Sequence, residues 1–376
     1  MLIDDVAMKM VRKGDDVIMI GSNAPAGETL PHIRNAAKRA LDSGYTKYGP
    51  TSGLFELRQA VADKLKREYD FEADPESEIL LTNGAEEAIF LAMQALVNSG
   101  DEVLQSKPSY PFDLHVNYSE GISTEYRLEE RNGWKLDAER VESRVSRKTR
   151  LVTLVNPHSP TGRVFTREEL EEFSEIAVKR NLFVLVDHVY SDLVYDGRRH
   201  INIANLPGMR ERTVIVCSFS KSYPGMGGWR VGYAVGNRKL IAEMTKLHGL
   251  ISNMGGCTFA QKGAVEAYLA NQTPLSRMVR KFQRQRDASV KRLNEIKGVS
   301  VLTPEASCHS FPRVSSYGMS SVDFVYWLLK EAKIVVHPSI TYNIEGYVRF
   351  NHSHPRYEEA LERMEKALRK IPVRRN

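Results

Sequence analysis

Short apolar runs alternate with longer amphipathic segments along most of this chain. The runs are Ile79–Thr82, Val103–Ser106, Leu151–Val155, Phe183–Asp187, Val214–Ser218 and Val231–Val235. Strands that alternate with helical segments indicate a mostly parallel sheet flanked by helices. Two of the runs, Leu151–Val155 and Phe183–Val186, are apolar without alternation. This is typical of strands that are buried on both faces. The pattern therefore predicts an α/β fold around a central sheet.

A long charged segment begins at Thr273-Pro274 and continues to about Glu295. Proline suits the first turn of a helix, so we interpret this segment as a helix that leads into a second domain. We predict further strands at Val299–Leu302, Ile334–His337 and Tyr347–Phe350, and helices at Val322–Ala332 and Pro355–Lys370. We expect a large domain over residues 44–272 and a small α+β domain built from residues 1–43 and 273–376.

Composition and charge exclude several other classes of protein. The 3 cysteines have no zinc-type spacing, so we expect no metal site and a reducing compartment, the cytoplasm. The longest apolar stretches, Leu151–Val155 and Leu182–Val186, are far shorter than the roughly 20 residues of a membrane-spanning helix. The acidic start Met1–Asp5 does not resemble a signal peptide. The 53 Lys and Arg residues are scattered, so we expect neither nucleic-acid nor membrane partners.

The sharpest chemical feature is a lysine directly after a predicted buried strand, in the motif Ser218-Phe219-Ser220-Lys221. Burying a lysine costs free energy unless the group is used. A desolvated lysine has a lowered pKa and becomes a nucleophile that can form a Schiff base with a carbonyl compound. An isolated lysine at a strand end more often reaches solvent, so the interpretation depends on what lies beside Lys221.

Two further side chains are predicted at the same edge of the sheet. Asp187 ends the strand before that of Lys221, and Tyr190 follows Asp187 at helical spacing. Ligand sites of parallel sheets lie at the carboxyl ends of the strands, so the carboxylate and the phenol can point into one cleft. A carboxylate in such a cleft can keep a pyridinium nitrogen protonated. The alternative, in which Asp187 only caps a helix, remains open at this point.

The segment Thr82–Ala88 places a turn between a predicted strand and a predicted helix. Gly84, Ala85 and Glu86 stand where that helix begins. Small residues at such a start let backbone N–H groups approach a phosphate at the positive end of the helix. This pattern alone is a weak indication of a phosphate site.

Together these motifs resemble the fold-type-I, class I/II pyridoxal-phosphate aminotransferases, the family of aspartate aminotransferase, from about Ile20 to Phe350. The resemblance also includes Tyr48-Gly49-Pro50, Pro108-Ser109-Tyr110-Pro111 and Gly346-Tyr347-Val348-Arg349. It implies a seven-stranded, mostly parallel sheet with a smaller α+β domain, and pyridoxal 5'-phosphate as cofactor. It implies transfer of the amino group of an L-amino acid to a 2-oxo acid.

The resemblance implies a role for each matched residue. Lys221 would form the aldimine with the cofactor, Asp187 would contact the ring nitrogen, and Tyr190 would contact the 3-hydroxyl. The cofactor-binding set would be these three with Gly84, Ala85, Glu86, Tyr110, Ser159, Ser218, Arg230 and Tyr48. Arg349 would clamp the substrate carboxylate beside Gly21. The family's counterpart of Tyr48 reaches the cofactor phosphate of the partner subunit, which implies a homodimer with shared sites.

Ser159 departs from the family pattern. It stands in Asn156-Pro157-His158-Ser159-Pro160, where the family has an asparagine that hydrogen-bonds the 3-oxygen of the cofactor. Serine is shorter, so we expect a longer or water-bridged bond at this position.

Two alternative functions remain open from the sequence. A lyase of the same fold, such as a carbon–sulfur lyase or an aminocyclopropane-carboxylate synthase, would eliminate a β or γ substituent with the same cofactor. A non-catalytic regulator would carry a DNA-binding head before the cofactor-binding motifs. These motifs start near Gly21, and the short segment before it disfavours the regulator.

Overall fold

The computed structural model describes residues 3–253 and 255–373 and contains thirteen α-helices and eleven strands within them. The strands are β1 Ile18–Met19, β2 Ile79–Thr82, β3 Glu102–Lys107, β4 Ile122–Arg127, β5 Thr149–Val155, β6 Phe183–Asp187, β7 Thr213–Ser218, β8 Gly232–Val235, β9 Ile334–Val335, β10 His337–Pro338 and β11 Val348–Arg349. The helices are α1 Ile3–Arg12, α2 Pro31–Asp42, α3 Phe55–Tyr69, α4 Ala85–Leu96, α5 Asp113–Tyr118, α6 Ala138–Arg144, α7 Arg167–Lys179, α8 Phe219–Ser222, α9 Arg238–Ser252, α10 Thr258–Leu269, α11 Thr273–Glu295, α12 Ser321–Ala332 and α13 Tyr357–Leu368.

Seven strands form one sheet in the order β2-β8-β7-β6-β5-β3-β4. β8 runs antiparallel to both of its neighbours, and the other adjacent pairs are parallel. This confirms the predicted α/β fold with a mostly parallel seven-stranded sheet. The apolar runs named above did not include β4, because this edge strand is polar and largely half-exposed.

Alternate residues of the central strands pack on opposite faces of the sheet. Val184 and Val186 of β6 belong to one hydrophobic cluster, and Leu185 belongs to the cluster on the other side. Both faces are therefore covered, as expected for a parallel sheet between two layers of helices. A capping box starts α7: Glu169 N donates to Thr166 Oγ1 at 3.2 Å, and Thr166 N donates to Glu169 Oε2 at 2.7 Å.

Residues from the two ends of the chain together form a separate hydrophobic cluster. There β1 pairs with β9 in parallel, and β10 pairs with β11 antiparallel. The helix predicted from Thr273 to Glu295 has these bounds in the structure. The strand predicted at Val299–Leu302 is wrong, because in this stretch Ser300 forms only an isolated bridge with Arg313.

The predicted division of the chain into a large domain (44–272) and a small domain (1–43 and 273–376) stays a prediction. Ile18 of β1 packs in the cluster of the chain ends. Ile33 of α2 packs in the large cluster of the sheet, where α2 lies against α10. The N-terminal segment therefore contributes to both cores. Among the described residues, no helix combines the length and the apolar composition that crossing a bilayer requires.

Candidate active site at the carboxyl end of the sheet

A cavity of about 290 Å³ lies where β6 and β7 end. Asp187 is the last residue of β6, and Ser218 is the last residue of β7, directly before the short helix α8 that carries Lys221. Nine residues predicted from the sequence line this cavity: Ala85, Glu86, Tyr110, Ser159, Asp187, Tyr190, Ser218, Lys221 and Arg230. The fold thus brings together side chains that are up to 145 positions apart in the chain, from Ala85 to Arg230.

Asp187 is buried at the floor of the cavity. Its Oδ1 accepts a hydrogen bond from Val189 N at 2.9 Å. Burial raises the pKa of the carboxyl to about 7, although the Val189 N–H and the positive charge of Lys221 act in the opposite direction. A buried carboxylate of this kind favours a cationic or N–H donor partner, because the charged form is otherwise poorly solvated.

Lys221 is the reactive amine of the cavity. Burial lowers its pKa to about 8, so about a tenth of the amine is unprotonated at pH 7, far more than for an exposed lysine. Its Nζ donates a hydrogen bond to Oδ1 of Asn23. An amine with these properties can act as a nucleophile toward a carbonyl carbon and as a proton carrier.

Tyr190 lies between Asp187 and the N-terminal segment. Its hydroxyl donates to the backbone oxygen of Asn23 at 2.6 Å. The ring is buried, and burial raises the pKa of the phenol well above its ordinary value. Tyr190 therefore stays protonated, and its single O–H acts as a hydrogen-bond donor.

The N-terminus of α4 forms one wall of the cavity. Gly84 is the capping residue, has a φ of 87°, and provides no side-chain cap, so the first N–H groups of α4 are not satisfied by a side chain of that residue. A Cβ on Gly84 would collide with the Arg230 guanidinium, and a Cβ on Gly232 would lie 2.5 Å from the carbonyl carbon of Gly84. These glycines keep open a cradle with helix N–H groups on one side and a guanidinium on the other.

Hydroxyl groups complete this cradle. Ser218 and Ser220 both line the cavity. The Oγ of Ser220 is buried and has no hydrogen-bond partner among the described residues. Arg230 is held over the cradle, because its Nη1 donates to Gly227 O at 3.0 Å and its Nη2 donates to Asn83 O at 2.7 Å. The donor set of N–H, O–H and guanidinium groups suits a phosphate.

Tyr110 covers the cavity from the side of α4. Its hydroxyl donates to Glu86 Oε2, and Glu86 Oε1 lies 3.2 Å from His115 Nε2. These contacts lower the pKa of Glu86. Because its hydroxyl is fixed by Glu86, the ring of Tyr110 is held in a defined orientation at the wall of the cavity.

A second cavity of about 380 Å³ adjoins the first. Asn23, Tyr110 and Ser159 line both cavities. Arg349 lines only the second one, together with Gly21, as predicted for a substrate pocket. The structure therefore places Gly21 and Arg349, the two residues predicted for the substrate, in a cavity beside the one that holds most of the residues predicted for the cofactor.

Arg349 is the guanidinium of the second cavity. Its Nε and Nη2 donate to the backbone oxygen of Gly21 at 3.0 and 2.6 Å, and its Nη1 donates to the hydroxyl of Tyr342. His337 lines the same cavity. Burial and the charge of Arg349 lower the pKa of His337 to about 4. His337 is therefore neutral near pH 7, and Arg349 carries the positive charge there.

Tyr48 lies outside both cavities of its own chain. Its side chain is 77% exposed, and it lines a separate depression together with residues 252, 253 and 255–259. The structure of one chain therefore does not bring Tyr48 to the other predicted site residues.

Among the lining residues that were not predicted as site residues from the sequence are Asn23, His337 and Tyr342. Asn23 lies in an irregular segment, and its contact with Lys221 joins positions 198 residues apart. Tyr342 is in a short 3₁₀ helix before β11. No local pattern marks such residues, and only their proximity to Lys221 and Arg349 in the fold shows that they belong to the site.

Comparison with known proteins gives a consistent result. Residues 15–364 match the family model described as "Aminotransferase class I and II". The chain is 36% identical to the aspartate aminotransferase of Pyrococcus abyssi over 94% of this chain and 92% of that protein. It is 35% identical to aromatic-amino-acid aminotransferase 2 of Thermococcus litoralis, with the same two coverages. The crystal structure of an aromatic aminotransferase from Pyrococcus horikoshii OT3 superposes with a TM-score of 0.91 at 35% identity, over 97% of this chain and 99% of that one.

These matches confirm the family resemblance, the fold class and the amino-transfer function predicted from the sequence. The alternatives of an eliminating lyase and of a regulator are not favoured, since the relatives described above are named aminotransferases.

Proposed function

We propose that this chain, which belongs to the class I and II aminotransferases, transfers amino groups with pyridoxal 5'-phosphate held between Asp187 and Lys221. The observation that carries the proposal is that a buried carboxyl and a buried amine line one cavity beside an uncapped helix N-terminus. Such a cavity offers separate partners for a ring nitrogen, a carbonyl carbon and a phosphate.

The residues of the cavity fit this cofactor. The N–H groups at the start of α4, Ser218, Ser220 and Arg230 would hold the phosphate. The unpartnered Oγ of Ser220 supports this assignment, because a buried hydroxyl without a partner costs free energy that a phosphate oxygen would offset. Tyr110 would lie against the ring. Tyr190 and Ser159 would face its 3-oxygen.

When it is bound, pyridoxal phosphate supplies an electron sink for the carbanion formed at the substrate Cα. Asp187 would hold a proton at the ring nitrogen and so strengthen that sink. Lys221 would hold the cofactor at its carbonyl carbon through Nζ, and its free amine would move the Cα proton of the substrate as base and then as acid. The lowered pKa of Lys221 suits both tasks near neutral pH.

Arg349 binds the α-carboxylate of the amino acid through its planar fork. Among the described residues that line the second cavity, Arg349 is the only cation, because His337 is neutral near pH 7. Asp4 adds a negatively charged carboxylate. Tyr110, Tyr342, Met19 and Pro111 contribute apolar or aromatic surface. We therefore propose L-amino acids with an uncharged side chain, aromatic ones included, as the preferred donors.

A homodimer is part of the proposal. Tyr48 and Leu250 are exposed to 77% and 82%, and large apolar side chains are costly to leave in water. Tyr48 shares its depression with the segment that follows α9. A second copy of the chain would cover this surface and receive Tyr48 at its own phosphate cradle. The three cysteines are free, which supports the cytoplasm as the compartment.

A half-reaction separates transfer from elimination and ranks the donors. The cofactor-loaded chain is mixed with one amino acid at a time without any 2-oxo acid. We expect one 2-oxo acid per subunit, formation of the aminated cofactor, no free ammonia, and faster reaction with phenylalanine or methionine than with aspartate. Continuous release of ammonia and pyruvate would contradict the transfer function. Aspartate as the best donor would contradict only the proposed side-chain preference.

A further inference from the structure

Asn23 is the point where the N-terminal segment touches the reactive centre. Its Oδ1 accepts a hydrogen bond from Lys221 Nζ, and its backbone oxygen accepts one from the Tyr190 hydroxyl at 2.6 Å. Asn23 also lines both the cofactor cavity and the substrate cavity. One residue thus contacts the proposed proton carrier at the boundary between the two cavities.

The backbone around Asn23 is fixed by its neighbours. Asn351 Nδ2 donates to the backbone oxygens of Ser22 and Ala24 at 3.0 and 2.8 Å. Gly21 is equally constrained, since a Cβ there would lie 2.9 Å from His337 N. Because both sides of Asn23 are held, its carboxamide has a defined position relative to Lys221.

We propose that Asn23 is a positioning residue that holds the amino group of Lys221 at the junction of the two cavities. The inference rests on the proposed role of Lys221 as the cofactor-binding lysine. A carboxamide oxygen accepts N–H groups without carrying a charge, so it orients the amine and still allows it to lose its proton. When the amine of Lys221 is free, this contact would keep Nζ at the junction of the two cavities.

Among the described residues, the charged and titratable groups that face Lys221 include Asp187, Arg230, Cys308, His309 and Arg349. The Asn23 oxygen stabilises the protonated amine against the burial that lowers the pKa of Lys221 to about 8. Removing the acceptor should lower this pKa further. Replacing it with a carboxylate of the same shape should raise the pKa.

The test measures acetylation of Lys221 by dilute acetic anhydride as a function of pH, in the full-length chain without cofactor. Tryptic peptides are quantified by mass spectrometry, and the exposed Lys246 in the same digest is the internal reference. We expect the Lys221 midpoint to fall by about half a pH unit in Asn23→Ala and to rise by about one unit or more in Asn23→Asp. Asn343→Ala, which lines neither of the two cavities, serves as the matched control and should titrate like the wild type.

An Asn23→Ala chain that folds and titrates together with the wild type would overturn the proposal. If that variant does not fold, an unchanged midpoint in the isosteric Asn23→Asp chain overturns it. The readout does not need bound cofactor or turnover. A failure here is therefore distinguishable from a failure of the proposed function, which would appear in the half-reaction.

Discussion

Arg349 and Gly21 are joined by two hydrogen bonds, from Nε at 3.0 Å and from Nη2 at 2.6 Å, both to the same backbone oxygen. The guanidinium therefore lies in a fixed plane at the wall of the substrate cavity. Tyr342 accepts a third hydrogen bond from Nη1. For the proposed substrate, this arrangement would orient the arginine toward a carboxylate before binding and so lower the entropic cost of binding.

Arg349→Ala should raise the KM of the amino acid while the absorbance of the bound cofactor stays intact, since the arginine lines only the substrate cavity. Truncating one partner of a buried charge pair costs about 2–5 kcal/mol, which predicts a rise of roughly 30-fold or more. Steady-state kinetics measure the effect, and Arg313→Ala on the neighbouring segment is the control. An unchanged KM would assign the carboxylate to another residue.

Asp187→Asn should separate stability from activity. The folded chain retains a proton on Asp187 up to a pKa of about 7, whereas the unfolded chain releases it near pH 4. The free energy of unfolding of the cofactor-free chain therefore falls by up to about 1.4 kcal/mol per pH unit between these values. Asparagine does not titrate, so Asp187→Asn does not show this pH-dependent fall in the free energy of unfolding. The variant should be more stable than the wild type at pH 8 and nearly as stable as the wild type at pH 4.5, as measured by urea titration.

The same variant should lose amino transfer by roughly 100-fold or more, because the amide cannot hold a proton at the ring nitrogen as a carboxylate does. Equal pH dependence of stability in the two chains would show that Asp187 is not buried as an unpaired carboxyl. Full activity of Asp187→Asn would remove the residue from the mechanism.

Ser159 is buried and lines both cavities, so its contact with the cofactor 3-oxygen stays a prediction. A donor to that oxygen stabilises its ionised form, and asparagine would reach farther than serine. We expect Ser159→Asn to shift the pH titration of the cofactor absorbance to lower pH and Tyr190→Phe to shift it to higher pH. The exposed Ser143→Asn is the control. A Ser159→Asn curve that coincides with the wild type would show that position 159 does not touch the 3-oxygen.

Mixing two inactive variants tests whether Tyr48 acts across a subunit boundary. Tyr48→Ala leaves its own Lys221 intact, and Lys221→Ala leaves its own Tyr48 intact. In a mixed dimer one site then has both native residues, so activity should return in about a quarter of all sites after random exchange. No recovery, with mixed dimers shown by native mass spectrometry, would place Tyr48 in the site of its own chain or outside the site.

The parts of the site that follow regular strands could be predicted from the sequence. Asp187 and Lys221 stand at or just beyond the ends of apolar strands, and the parallel sheet brings such ends to one edge. Gly84 was recognisable because a small residue between a strand and a helix lets backbone N–H groups approach a phosphate; its φ of 87° shows that the turn also needs a glycine there. Hydrophobic periodicity and turn residues are local properties of the sequence, and they were sufficient to predict where Gly84, Asp187 and Lys221 lie.

The rest of the site depends on contacts that no local pattern encodes. Asn23 reaches Lys221 from a segment whose residues Ser22 and Ala24 are held by Asn351, 329 and 327 positions away along the chain. The strand expected at Val299–Leu302 has an apolar pattern, but tertiary packing leaves it with a single bridge at Ser300. The role of Tyr48 requires a second chain, which one sequence cannot display.

The role proposed for Lys221 is tested most directly by identifying the residue that binds the cofactor covalently. The chain loaded with pyridoxal phosphate is reduced with borohydride, digested, and sequenced by mass spectrometry. We expect one pyridoxyl group per chain, on Lys221, and none in Lys221→Ala. That variant should also have lost multiple-turnover transfer. A pyridoxyl group on another lysine, or near-normal turnover by Lys221→Ala, would contradict the assignment of this cavity as the active site.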